Sequence, residues 1–195
     1  MWQIEEEKRS EGHSCICGVD EAGRGPLAGP VFAAAVVLPY EIDIPGLNDS
    51  KKLTEKKREE LYEVITDKAI TYGIGSASHL EIDELNILNA TYLAMNRAIG
   101  SLTQEPSIAL IDGNRNSGIE FNSICVIGGD SKSASIAAAS ILAKVSRDRF
   151  MIKMAEIYPQ YAFDKHKGYG TKLHYERLKD FGLSEIHRNS FLKKL

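Results

Sequence analysis

The chain has 195 residues, 43% of them hydrophobic and 26% charged, with a net charge of −3. That length suits one domain with a sizeable core. No apolar run reaches membrane-spanning length, residues 1–14 are too polar for a signal peptide, and three cysteines form neither a zinc pattern nor a paired disulfide framework.

Residues 1–14 read as a short, loosely held start, and 15–19 as a first strand that ends at Asp20-Glu21. A glycine-rich turn follows, Gly23-Arg24-Gly25-Pro26-Leu27-Ala28-Gly29-Pro30, and then a second apolar run, 31–38. Its three alanines would also suit a helix, but flanking prolines at 30 and 39 favour a strand. Adjacent carboxylates repel and are poor strand residues, so a buried strand gains nothing by ending in two of them. A hard divalent cation takes oxygen ligands and offsets that repulsion. Arg24 adds a planar fork suited to phosphate, and the glycines admit close backbone approach. Carboxylates for metal beside groups for phosphate suggest phosphodiester chemistry; two solvated acids in a turn are the plain alternative.

Beyond a loop comes Asp49-Ser50-Lys51-Lys52-Leu53, then Thr54 as N-cap of a helix through Lys68, with Leu61, Val64 and Ile65 on its apolar face. Residues 69–78 alternate as a strand. Helical stretches follow at 82–87 and 90–99, and short buried strands at 107–111 and 124–127. The first of these runs into Asp112-Gly113-Asn114 and the second into Gly128-Gly129-Asp130. Asp112-Gly113 is also an ordinary turn, and Asp130 also suits a helix cap. Residues 135–157 form a helix stopped by Pro159, 161–171 a loop, 172–181 a helix closed by Gly182, and 190–195 a last turn. If the three strands ending in acids are neighbours, Asp20, Glu21, Asp112 and Asp130 converge. Four carboxylates would then suit a two-metal site, which bridges attacking and leaving oxygens in phosphoryl transfer.

The ordered motifs resemble the bacterial ribonuclease HII family. They are the run from Gly18 through Glu21 and the turn to Pro30, Asp49-Ser50-Lys51-Lys52-Leu53, Ile111-Asp112-Gly113 and Gly129-Asp130. Ala138-Ala139-Ser140-Ile141-Leu142-Ala143-Lys144-Val145, Arg147-Asp148, Gly168-Tyr169-Gly170-Thr171 and His187-Arg188 complete the set. The resemblance implies an α/β, ribonuclease H-like fold: a five-stranded mixed sheet flanked by helices, with residues 160–195 a helical, substrate-binding part of one catalytic domain. It implies a Mn²⁺- or Mg²⁺-dependent endonuclease that cuts the RNA strand of RNA–DNA hybrids and cuts 5′ of ribonucleotides embedded in duplex DNA. The ends left are 3′-hydroxyl and 5′-phosphate.

By the same resemblance Asp20, Glu21, Asp112 and Asp130 are metal-binding and catalytic. Gly23, Arg24 and Gly25 sense the 2′-hydroxyl, and Tyr169 stacks on the deoxyribose that follows. Lys51 is a candidate phosphate contact, as are Lys52, Lys144, Lys167, Lys172 and Arg188; a solvated surface is the alternative for the lysines. Lys144 would pair with a site carboxylate, and His166, His174 and His187 are candidates for proton transfer. The expected setting is a cytoplasmic monomer without membrane contact; a replication-clamp partner is not resolvable from sequence.

Overall fold

Alternating side chains decide how the layers assemble. The computed structural model describes residues 1–47, 50 and 53–193; the Asp49 and Lys51-Lys52 positions of the second motif lie outside them. The strands are β1 (Ile16–Ala22), β2 (Val31–Val37), β3 (Thr71–Ala77), β4 (Ile108–Asp112) and β5 (Ser123–Val126). They form one five-stranded mixed sheet in the order β3-β2-β1-β4-β5. β2 runs antiparallel to both β1 and β3, whereas β1, β4 and β5 are parallel. The C-terminal ends of those three strands therefore share one edge.

On one face, Cys17, Val19, Val31, Ala33 and Ala35 pack with Ala90, Ala94, Met95 and Ala98 of helix α3 (His79–Gly100). Their even-numbered neighbours Ala34 and Val36 pack on the other face. There they meet α2 (Glu55–Lys68) through Leu61 and Ile65, and α4 (Ala134–Ile157) through Ala138, Ala139 and Leu142. At Gly18 a Cβ would lie 2.1 Å from the Ser135 carbonyl carbon, so α4 approaches β1 as closely as backbone allows. The helices α5 (Phe163–His166) and α6 (Lys172–Phe181) form the C-terminal part. Phe163, Leu178 and Ile186 pack there against Leu27 and Ala28 of the glycine-rich turn.

Thr54 caps α2 as expected, accepting from the Lys57 amide. Ser78 and Glu81 complete a capping box at the start of α3. Three expectations are corrected. The start of the chain is not loose: Gln3–Ser10 form helix α1, and Glu5 is buried. Its Oε1 accepts from the Ser133 hydroxyl (2.7 Å) and the Ser135 amide (3.1 Å), placing a carboxylate at the N-terminus of α4. Residues 161–171 are not all loop, because Phe163 and His166 are buried and anchor the short α5. β1 does not end before its acids: Asp20 pairs with Ala34 and Glu21 with Ala33 inside the ladder. Of the cysteines, Cys15 and Cys17 are buried and Cys125 is half-buried.

Candidate active site

The same alternation parts the adjacent acids. Glu21 continues the Cys17–Val19 parity toward α3, whereas Asp20 follows Gly18 toward α4. A cavity of about 240 Å³ is lined by Asp20, Glu21, Asp112, Ser140, Lys144 and Tyr169, together with Gly23, Arg24 and Gly25. A second, about 290 Å³, shares Glu21, Arg24 and Asp112 and extends toward Tyr92, Met95 and Arg115. Asp112 ends β4 directly beside β1, since Val19 pairs with Ile111. Its Oδ1 accepts from the Gly129 amide at 2.7 Å. Asp130, the next residue, is buried in a 3₁₀ turn after β5 and does not line either cavity.

Asp20 is buried, and its carboxyl is pushed well above the usual range, first by burial and then by the charges of Glu21 and Asp112. The Ser140 hydroxyl and the Glu21 amide act against that shift, the amide at 2.7 Å from Asp20 Oδ1. Ser140 in turn bonds Ser50 at 2.8 Å. Among the described residues no three acidic, histidine or cysteine side chains are already gathered as a metal cage. Converging, partly buried carboxylate oxygens are nevertheless the donor set that hard divalent cations take, and a dication would remove the repulsion that raises Asp20.

Tyr169 is 43% exposed and its ring faces the cavity near Gly25. Lys144 also lines the cavity, but its partner is Asp148 on the same helix (2.7 Å), not one of the four acids. Lys172 is exposed, and Lys167 donates to the Asp164 carbonyl.

Arg188 is the largest correction. It is fully buried, so it cannot belong to a phosphate-binding surface. Its guanidinium donates to four carbonyls of the turn: Gly23 (2.7 Å), Pro26 (2.8 Å), Gly29 (2.8 Å) and Arg24 (3.0 Å). Arg147, also buried, donates to Ala28 and Pro30, both at 3.2 Å. Among the described residues neither arginine makes an ion pair. Burial pulls both down, Arg147 to about 10 and Arg188 to about 9, the latter further lowered by Arg147. In a trans peptide the C=O and N–H point opposite ways. Turning the Gly23 and Arg24 carbonyls onto Arg188 therefore turns the Arg24 and Gly25 amides away from it. Gly23 has φ +101°, and a Cβ there would fall 2.0 Å from Arg147 Nε, so only glycine fits over this buried pair.

The three histidines are not at the acids: His166, His174 and His187 are buried behind Tyr169 and line neither cavity. The motifs contained Arg147, His187 and Arg188, but nothing local in the sequence distinguishes a buried cation from a surface one. Ser140 was missed as a partner of Asp20; its place directly after the alanine run 137–139 was the available signal.

Comparison with known proteins shows the family and the fold. The family model described as Ribonuclease HII matches residues 17–194. Ribonuclease HII of Caldicellulosiruptor bescii is 56% identical over 194 residues, covering 100% of this chain and 94% of the relative. That of Clostridioides difficile is 54% identical over 192 residues, covering 98% and 75%. Among solved structures, the ribonuclease H2 of Pyrococcus horikoshii OT3 superposes with a TM-score of 0.74 at 29% identity, covering 90% of this chain and 93% of the other. Ribonuclease HII of Archaeoglobus fulgidus, solved in a complex with PCNA, gives 0.71 at 26% identity, covering 90% and 94%. The fold is ribonuclease H-like, with a helical C-terminal part. By its sequence and its fold, this enzyme belongs to the ribonuclease HII family.

Proposed function

We propose that this enzyme is a metal-dependent endonuclease that cleaves the RNA strand of RNA–DNA hybrids and cuts 5′ of ribonucleotides embedded in duplex DNA. The products are a 3′-hydroxyl and a 5′-phosphate. One observation carries the reading: Asp20, Glu21 and Asp112 share a cavity with the Gly23-Arg24-Gly25 turn and Tyr169. Acids that suit a dication and groups that suit a ribose thus line the same space.

Asp20, Glu21, Asp112 and Asp130 would hold Mn²⁺ or Mg²⁺, two ions in the full complex; bound there, they activate water and stabilise charge on the phosphate. Asp130 joins the set through its place beside the amide that fixes Asp112. The Arg24 and Gly25 main chain, oriented by Arg188, bonds the 2′-hydroxyl, the one group that tells RNA from DNA. The Arg24 side chain fixes the neighbouring phosphate. Tyr169 offers its ring to a sugar without that hydroxyl and reads the junction from the 3′ side. Lys51, with Lys144 and Lys172, positions the backbone without specifying sequence. The chain acts as one catalytic domain in which 160–195 bind substrate, as a cytoplasmic monomer. As for the Archaeoglobus fulgidus enzyme, a sliding clamp is the partner class.

The test is a panel of end-labelled duplexes: continuous hybrid, a lone ribonucleotide in DNA, and plain DNA, each with and without Mn²⁺ or Mg²⁺. Metal-dependent cutting of only the first two is expected. Cutting of plain DNA, or binding without any cutting, would overturn the reading.

A further inference from the structure

Hydrogen-bond direction fixes the tautomers of the buried histidines. The Ser184 amide donates to His187 Nδ1 at 2.8 Å, so that nitrogen carries no proton and Nε2 does. His187 Nε2 lies 3.0 Å from His174 Nε2 and must donate to it. His174 therefore carries its proton on Nδ1, 2.9 Å from the Tyr169 carbonyl, and donates there. The result is a one-way chain from the Ser184 amide through His187 and His174 to the main chain of Tyr169. His166 braces it from the side. It stacks on His174 with ring centroids 4.3 Å apart, accepts from the Gly168 amide at 3.1 Å and donates to the Tyr161 carbonyl at 2.9 Å.

We propose that His174, supported by His187, is a positioning residue that fixes the Tyr169 ring and thereby sets the preference for a lone ribonucleotide over continuous hybrid. This rests on the function proposed above. Neither histidine touches the cavity of the acids, and the effect passes through the Tyr169 carbonyl, which also accepts from the Thr171 amide. A further proton is disfavoured: His187 Nδ1 already accepts from the Ser184 amide, which leaves the Ser184 hydroxyl, 2.8 Å away, to receive it, and His174 Nε2 already faces the His187 N–H. Burial lowers all three histidines, and His187, with His174 beside it, falls to about 4. Other charged or titratable groups at the cluster are Asp164 and Lys167 beside His166, His79 beside His187, and Tyr161, whose ring centroid lies 5.2 Å from that of His187.

Two near-isosteric variants split the chain. His174→Asn keeps a donor near the Nδ1 position and loses the link to His187. His174→Gln keeps an acceptor near the Nε2 position and loses the bond to Tyr169. His174→Gln is expected to lower kcat/KM on the lone-ribonucleotide duplex by about fivefold or more, the size of one lost hydrogen bond. On continuous hybrid it stays within about twofold, and His174→Asn keeps most of its junction activity. Equal losses for the two variants, or equal losses on both substrates, would overturn the proposal. A wild-type enzyme that leaves the lone-ribonucleotide duplex uncut would instead overturn the function and this inference with it.

A measurement on the unaltered protein guards against misfolded variants. In ¹⁵N-histidine NMR, His166 and His187 should carry their proton on Nε2 and His174 on Nδ1, all titrating below the free value of about 6.5. A proton on His174 Nε2, or titration of His174 and His187 at the free value, would overturn the proposal.

Discussion

Asp112→Asn is expected to lower metal-dependent cleavage by at least about a hundredfold, because even residues that only orient metal ligands cost roughly 10–100-fold when replaced. Folding should survive. The Asn side chain still offers an oxygen to the Gly129 amide, which Asp112 holds at 2.7 Å. Without metal the variant should be as stable as wild type or more so, because one of the charges that raises Asp20 is gone. The sign follows from linkage. A carboxyl whose folded value is raised opposes the native state at neutral pH, and removing the cause relieves that opposition. With Mn²⁺ the order reverses, since only a chain that binds the ion gains stability from it. Melting curves with and without Mn²⁺ check this beside the cleavage rate. A near wild-type rate would remove Asp112 from the metal set.

Arg188→Lys should be nearly as damaging, by another route. An ammonium has three donors on a flexible stem and cannot reproduce a planar fork that meets four carbonyls. Each buried carbonyl left without a partner costs about 1–3 kcal/mol. A total of about 3–5 kcal/mol corresponds to a melting temperature lowered by about 10 °C in a chain of this size. The Arg24 and Gly25 amides lose their fixed direction at the same time. At temperatures where the variant remains folded, KM for ribose-containing duplex should rise by about tenfold while metal affinity stays near wild type. Calorimetric melting and steady-state kinetics read the two effects separately. An unchanged KM in folded protein would mean that Arg188 only stabilises the chain.

The residues that could be read in sequence are those whose chemistry conflicts with their setting. Asp20 and Glu21 stand out because apolar strands do not ordinarily carry paired acids, and strand order then brings Asp112 beside them. Thr54 was legible because capping is local. What depended on distant partners was not. Helix α1 has no local reason to be held; its anchor is Glu5, which meets Ser133 and Ser135 at the start of α4. Arg188 resembles any basic residue near a C-terminus until the fold wraps the turn 23–30 around it. His174 and His187 are 13 residues apart, and only α6 and the chain after it bring their rings to 3.0 Å. Even the length of β1 was set by a partner, since β2 supplies the ladder that carries the strand through its two acids.

The central claim joins a cation held by the acids to a cut placed by ribose recognition. A duplex with one ribonucleotide, labelled at the 5′ end and incubated with Mn²⁺ or with chelator, tests both parts together. The account predicts one product, cut on the 5′ side of the ribonucleotide, ending in a 3′-hydroxyl that a polymerase extends, and no product in chelator. A cut on the 3′ side leaving a 2′,3′-cyclic phosphate, unaffected by chelator, would show attack by the 2′-hydroxyl itself and contradict it.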